Sequence, residues 1–204
     1  MRNFITCLIL LITLPAMAAT GPEQLIRQTT KSVMTEIREN IDSYKSDPQK
    51  VYQLVDEQVL PHFDFAAMAD LALGKYKDRV SSEQKSAIVT EFRMLLVRTY
   101  SAALVEYTEL EPIYLPMDGT EADGLVTVKT QYDQQGGFPV PMDYSLRLSD
   151  DGWKVFDVSV DEISLVTNYR SSFARAIKRD GVDGLIKTLQ ARNQDLEDEV
   201  SREK

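Results

Sequence analysis

Trp153 to Phe173 reads WKVFDVSVDEISLVTNYRSSF, and the change of periodicity inside it decides the fold class. Phe156, Val158 and Val160 recur at period two with Asp157 and Ser159 between them, the pattern of a half-buried strand. From Ile163 the apolar positions fall at Val166, Tyr169, Phe173 and Ile177, the spacing of one helix face. No Gly or Pro separates the two patterns, so a strand is expected to feed directly into an amphipathic helix. At that junction a sheet and its helices either close on each other or leave a space.

Upstream, Val126, Val128, Thr130 and Tyr132 alternate along one segment, and Val140, Met142, Tyr144, Leu146 and Leu148 along the next. Gln134-Gln135-Gly136-Gly137 and Asp150-Asp151-Gly152 read as the turns between strands. Pro139 and Pro141 predict that the second segment starts at an exposed edge, where a missing N–H is tolerated. The sum is a meander of three or four antiparallel strands with one apolar face, within residues 112–161. Downstream, the helix is expected to run to about Lys178 and break at Asp180-Gly181. Val182 to Leu189 then forms a last short helix before a charged tail, which closes a helical region over 162–198.

Residues 22–110 read as helices. Gly21-Pro22 leads into a stripe of Ile26, Thr29, Val33, Ile37 and Ile41. Asp47-Pro48 restarts the chain as cap and first helical residue, ahead of Val51, Leu54, Val55 and Val59. Asp64 can cap a short helix that ends at Gly74. Ser81-Ser82-Glu83-Gln84 fits a capping box. The helix it opens carries Ile88, Phe92, Leu95, Leu96, Thr99, Ala103 and Leu104 on one face, with Tyr100 and Tyr107 at the edge. Helices, then antiparallel strands, then helices is the α+β order.

The first eighteen residues have a different character. Arg2, the apolar run Phe4–Leu14 and small residues in Ala16-Met17-Ala18 make a cleavable signal peptide, 1–18, with cleavage after Ala18. The run is shorter than the ~20 residues that span a bilayer. Cys7 lies at the start of the apolar run, away from the cleavage site, which argues against a lipid anchor. The remaining 19–204 then contains no cysteine, and it is long enough for one α+β domain stabilised by its core. Losing Arg2 takes the formal charge from −9 to −10. Nucleic acid, which demands a basic footprint, and charge-driven adhesion to anionic membrane are both disfavoured.

Catalytic patterns are scarce. The single histidine, His62, has no second histidine or cysteine to join in a metal site or a nucleophile–base pair, and reads as a polar corner residue. No Gly-rich phosphate loop, GxSxG or HExxH occurs. Asp157 is the one carboxylate to weigh, because a strand carboxylate on a small cone-like fold can serve as the base of an isomerase or hydrolase. What recurs on the inward faces is apolar and aromatic: Phe92, Tyr100, Tyr107, Tyr132, Met142, Tyr144, Phe156, Tyr169 and Phe173. They form either a solid core, as in a periplasmic adaptor or chaperone, or the lining of a pocket.

An ordered set of segments carries a family resemblance. It runs from Leu60-Pro61-His62-Phe63-Asp64-Phe65 with Met68 through Leu73-Gly74-Lys75-Tyr76, Ser82-Glu83-Gln84, Glu91-Phe92 and Thr99-Tyr100. It continues in Trp153-Lys154-Val155, Asp157-Val158, Ser164-Leu165-Val166, Asn168-Tyr169-Arg170, Phe173 and Gly181-Val182-Asp183-Gly184-Leu185. In this order they resemble the MlaC (toluene-tolerance) family of periplasmic phospholipid-binding proteins. One departure stands out. The family pattern has Glu-Gly ahead of the Ser-Leu-Val run, where this chain has Asp161-Glu162-Ile163.

The resemblance implies a cone like that of nuclear transport factors, a curved antiparallel sheet of about four strands packed against several helices, with an internal apolar pocket. It implies a non-enzymatic carrier with phospholipid as cargo and no cofactor or metal. Its partners would be an outer-membrane lipoprotein/porin complex and the substrate-binding subunit of an inner-membrane ABC transporter, served by a monomer that does not insert into either membrane. Maintenance of outer-membrane lipid asymmetry would follow. The residues that would line the pocket are Phe92, Leu96, Tyr100, Leu104, Val126, Val128, Met142, Tyr144, Leu146, Phe156, Val158, Leu165, Val166, Tyr169 and Phe173. Arg98 and Arg170 are candidates to touch the phosphate.

Overall fold

The computed structural model describes residues 20–133 and 137–202. The expected signal peptide, 1–18, and most of the expected Gln134–Gly137 turn fall outside them. Helix α1 (Pro22–Glu39) begins with Pro in its first turn, where a missing N–H costs nothing, and buries Ile26, Val33, Met34 and Ile37. The stripe does not continue unbroken to Ile41. Asn40 leaves helical geometry (φ −127°, ψ 29°), and a separate α2 spans Ile41–Ser46.

Asp47 caps α3 (Pro48–Gln58) by accepting from the Gln49 N–H at 3.2 Å. Asp64 caps α4 (Phe65–Leu73) by accepting from the Ala67 N–H at 2.8 Å. Both arms of the capping box open α5 (Ser82–Glu106): Ser81 Oγ accepts from the Gln84 N–H at 3.2 Å, and Gln84 Oε1 from the Ser81 N–H at 3.1 Å.

The sheet has five antiparallel strands in sequence order, β1 (Pro112–Tyr114), β2 (Leu125–Tyr132), β3 (Val140–Ser149), β4 (Gly152–Val160) and β5 (Ile163–Ser164). The two outermost are short, three and two residues, which is why periodicity alone suggested about four. The strand that starts with Pro139 and Pro141 is the central one, not an edge. Pro141 is tolerated because it sits at the strand's beginning, opposite Gln131, and its carbonyl accepts from the Asp161 N–H at 2.9 Å.

A bulge divides β4. Leu146 pairs with Val155 and Ser145 with Asp157, so Phe156 has no partner opposite. Trp153 and Val155 face the core before the bulge, and Val158, across from Tyr144, after it. The expected alternation through Phe156 therefore breaks there. Phe156 is half-buried and belongs to none of the core clusters.

The strand does not run directly into the helix either. Val160 pairs with Ile163 across a two-residue turn, Asp161–Glu162, with φ of 50° and 63°. Positive φ at both central positions is the I′ hairpin geometry. Helix α6 (Leu165–Arg202) starts only after β5. Its kink is at Gly181 (φ 73°, ψ −175°), where the sequence placed a break. Beyond it the helix runs well past Leu189 to Arg202, because Leu185, Leu189 and Asn193 are buried. Asn193 Nδ2 donates to Glu91 of α5 at the carbonyl (3.0 Å) and at Oε2 (2.7 Å).

Three apolar clusters hold these pieces together. One joins α4, α5 and α6 through Met68, Leu73, Ile88, Phe92, Val166, Phe173 and Leu185. A second seals one end of the sheet beneath α1, with Ile26, Val126, Leu146, Trp153 and Val155. The third lies between α1 and α3, with Val33, Ile37 and Leu54 backed by Leu104 and Val105 of α5. Phe63 touches both of the first two. Among the described residues no helix is long and apolar enough to cross a membrane.

Candidate functional site

Helix α1 lies against β2, while α4 and the start of α6 lie against β4. Neither lies comparably close to the central strand β3. Helix α5 is held by α1 and α3 on one flank and by α4 and α6 on the other, and its approach to the strands is far looser. The result is a floor of β3 and β4 walled by α1 and α6, with α5 packed chiefly on the other helices.

Burial along the floor is uneven. At one end Val126, Leu146, Trp153 and Val155 are sealed. Toward the β4–β5 hairpin, Val140, Met142, Tyr144 and Val158 keep accessible surface although they share the inner face. Tyr144 shows what kind of space this is. Its phenol is stripped of water by surrounding protein, which pushes its pKa well above the ordinary value, with Tyr132 and Tyr114 adding to the effect. Its hydroxyl donates to Met142 Sδ at 3.0 Å. Tyr144 is thus surrounded by protein while keeping some accessible surface.

Aromatic packing fixes one wall. Phe92 meets Tyr169 and Phe173 edge-on, with centroids 5.1 and 5.2 Å apart. Burial drives the Tyr169 hydroxyl up to about 12, and Tyr100 and Thr99 are its hydrogen-bonding neighbours. On the opposite side the Arg27 guanidinium of α1 stacks 3.6 Å from the Tyr114 ring centroid.

The fifteen residues expected to line a pocket separate into groups. Met142, Tyr144 and Val158 are partly buried on the inner face of the sheet, Leu165 and Tyr169 against the helical cluster, and Leu104 against the cluster between α1 and α3. Phe92, Leu96, Val166 and Phe173 are sealed in the helical cluster, and Val126, Val128 and Leu146 in the sheet cluster. Tyr100 is 41% exposed, and Phe156 sits at the bulge. Sequence reasoning overlooked Tyr114 and Leu25 as parts of the α1 side. Tyr114 alternates with Pro112 along a strand of three residues, too short for a periodicity to register.

The polar candidates are already engaged. Asp157 accepts from the Val158 N–H at 2.9 Å, the Val166 N–H at 3.1 Å and the Ser164 hydroxyl at 2.5 Å. Ser164 Oγ in turn accepts from the Thr167 N–H at 3.0 Å. This carboxylate clips the start of α6 to β4, satisfying amides that a helix N-terminus leaves orphaned. Arg170 Nε donates to the Leu71 carbonyl at 3.0 Å. Arg98 donates to the Asn193 carbonyl at 2.5 Å and to Glu197 at 3.0 Å. Among the described residues no group of three or more His, Cys, Asp or Glu is placed to hold a metal ion.

A family profile described as MlaC protein matches residues 27–191. The chain belongs to the MlaC family. It is 28% identical over 187 residues to the "Toluene tolerance protein ttg2D" of Pseudomonas putida, covering 89% of this chain and 85% of that one. To the "Intermembrane phospholipid transport system binding protein MlaC" of Haemophilus influenzae it is 24% identical over 184 residues, covering 88% and 86%. The phospholipid-binding protein from Ralstonia solanacearum, solved in complex with a phospholipid, superposes with a TM-score of 0.79 at 32% identity. That match covers 88% of this chain and 99% of the other.

Proposed function

We propose that this MlaC-family chain is a phospholipid carrier that encloses acyl chains between the open half of the sheet and α5. The observation that carries the reading is the partly exposed inner face at Met142, Tyr144 and Val158, on strands that α5 barely approaches. The Ralstonia protein of the same fold is solved with a phospholipid. Physical chemistry says why enclosure is needed. Two acyl chains of about 30 carbons, at ~0.8 kcal/mol per CH₂, would cost on the order of 20 kcal/mol to expose to water. Release therefore has to follow a continuous apolar path supplied by a partner. The headgroup stays in water, which agrees with Arg98 and Arg170 being engaged elsewhere.

The finer reading is a periplasmic monomer that moves phospholipid between an outer-membrane lipoprotein/porin complex and the substrate-binding subunit of an inner-membrane ABC transporter. The name of the Haemophilus relative, an intermembrane phospholipid transport system binding protein, supports it. An acidic net charge suits a carrier that must not adhere to anionic bilayers between deliveries. Chemical catalysis at Asp157 finds no support, since its carboxylate is spent on the α6 clip.

Lipid extracted from protein purified out of a Gram-negative periplasm, weighed by mass spectrometry, tests the carrier reading. Diacyl phospholipid near one equivalent per chain is the expected result. A lipid-free extract, unchanged after incubation with phospholipid vesicles, would refute it.

A further inference from the structure

A second cleft, of about 640 Å³, lies on the far side of α5 from the sheet. Helices α2 and α3 form one wall, the last turns of α5 the floor, and the end of α6 the other wall. Its apolar surface comes chiefly from Ile41, Tyr44, Val51, Val105, Leu196 and Val200. None of the fifteen residues expected to line the lipid pocket reaches it. Residues 192–202, which build the α6 wall, lie beyond the segment matched by the family profile.

The charges around this cleft are distinctive. Glu106, Glu109 and Glu199 line it, all exposed, and none of them forms an ion pair among the described residues. Two cations also line it. Arg98 is held by Glu197 and the Asn193 carbonyl, so Lys45 alone stands against three carboxylates. An anionic amphiphile would meet net repulsion there.

We infer that this cleft is a docking groove for an amphipathic helix of a partner protein, with an apolar stripe flanked by Lys and Arg. A trough walled by helices is shaped for a further helix, which would lay i, i+3/i+4 and i+7 side chains onto the apolar floor. Its basic flanks would pair with Glu106, Glu109 and Glu199, steering association and fixing orientation. The groove is separate from the lipid space, so a partner can hold the protein here while leaving the acyl-chain opening free.

The probe is a synthetic 18-residue helix with a Leu stripe and Lys flanks, added to the full mature chain and followed by anisotropy and amide chemical shifts. Expected is saturable binding that weakens as salt rises, with shifts centred on Ala102, Val105 and Leu196. Ala102 is exposed in the cleft, so Ala102→Trp fills the groove without disturbing the core and should weaken binding at least tenfold. Changing Glu106, Glu109 and Glu199 together to Lys should reverse the preference toward the same stripe with Glu flanks. This triple change affects exposed side chains only, so it tests the groove even if the Trp variant folds poorly. Absence of saturable binding, indifference to both variants, or shifts centred on Met142 and Tyr144 instead would overturn the assignment. A lysophospholipid that occupies the cleft in preference to the helix would overturn it too.

Discussion

Asp157 sits on a strand where a small cone-like fold can carry a catalytic base, yet its carboxylate accepts from Ser164 and Val166 at the start of α6 and from the neighbouring Val158 N–H. Replacing it with Ala leaves the Val158 and Val166 amides without their partner and should cost about 1–3 kcal/mol, read from urea unfolding. Asp157→Asn should recover part of that loss through its remaining carbonyl oxygen. Glu162 makes the opposite case. At φ 63° it occupies a conformation that glycine adopts freely. Glu162→Gly creates Asp-Gly, a favoured pair for this turn, and should stabilise by about 0.5–1 kcal/mol, a rise of roughly 1–4 °C in Tm. A lower Tm would mean that Glu162 makes a compensating contact. The lone histidine offers a spectroscopic check. Burial, helped by Lys154, holds His62 below its ordinary 6.5. Because the folded state binds this proton more weakly, stability declines as pH falls from about 6.5 through the lowered pKa, and is fully present above 6.5. An NMR titration midpoint at or above 6.5 would contradict this environment.

At the level of elements, the strongest local signals were read correctly because they are set by neighbours in sequence. Caps at Asp47, Asp64 and Ser81 and the break at Gly181 depend only on nearby backbone amides and φ/ψ. What escaped was set by pairing across the sheet. The Phe156 bulge shifts the alternation by one residue, and β5 is two residues long, so neither leaves a periodic trace. Pro141 suggested an edge although β3 is central, because a strand's first residues obey edge rules wherever the strand lies. The extent of α6 to Arg202 was hidden by its charged sequence, since its anchors, Leu189, Asn193 and the Arg98 contacts, are tertiary. Gly181 allows a direct test. No atom lies within 4 Å of a Cβ built there, so any cost of Gly181→Ala is backbone strain at φ 73°, ψ −175°. That should amount to about 1–3 kcal/mol. An unchanged midpoint of thermal unfolding would show that α6 can straighten.

For the molecule as a whole, the site was legible as a set of inward apolar and aromatic positions, but not as a division between core and wall. Val166 and Phe173 share a helical register with Tyr169, yet only 0–1% exposed surface puts them in the core, while Tyr169 keeps open surface. That division depends on how far α5 stands from the sheet, which no local pattern records. A charge at Val166 or Phe173 would therefore test folding as much as cargo. Met142, partly open on the floor, is the better position. An ionised carboxylate there would be strongly disfavoured against acyl chains and tolerated in their absence. The account's central claim is that acyl chains lie over the open half of β3, and native mass spectrometry of wild type beside Met142→Glu tests it most directly. The prediction is a diacyl-phospholipid adduct on the wild type that is lost from the variant, with matching circular dichroism. Lipid retained at full occupancy by a folded Met142→Glu, or a wild type that stays empty after exposure to phospholipid vesicles, would contradict it.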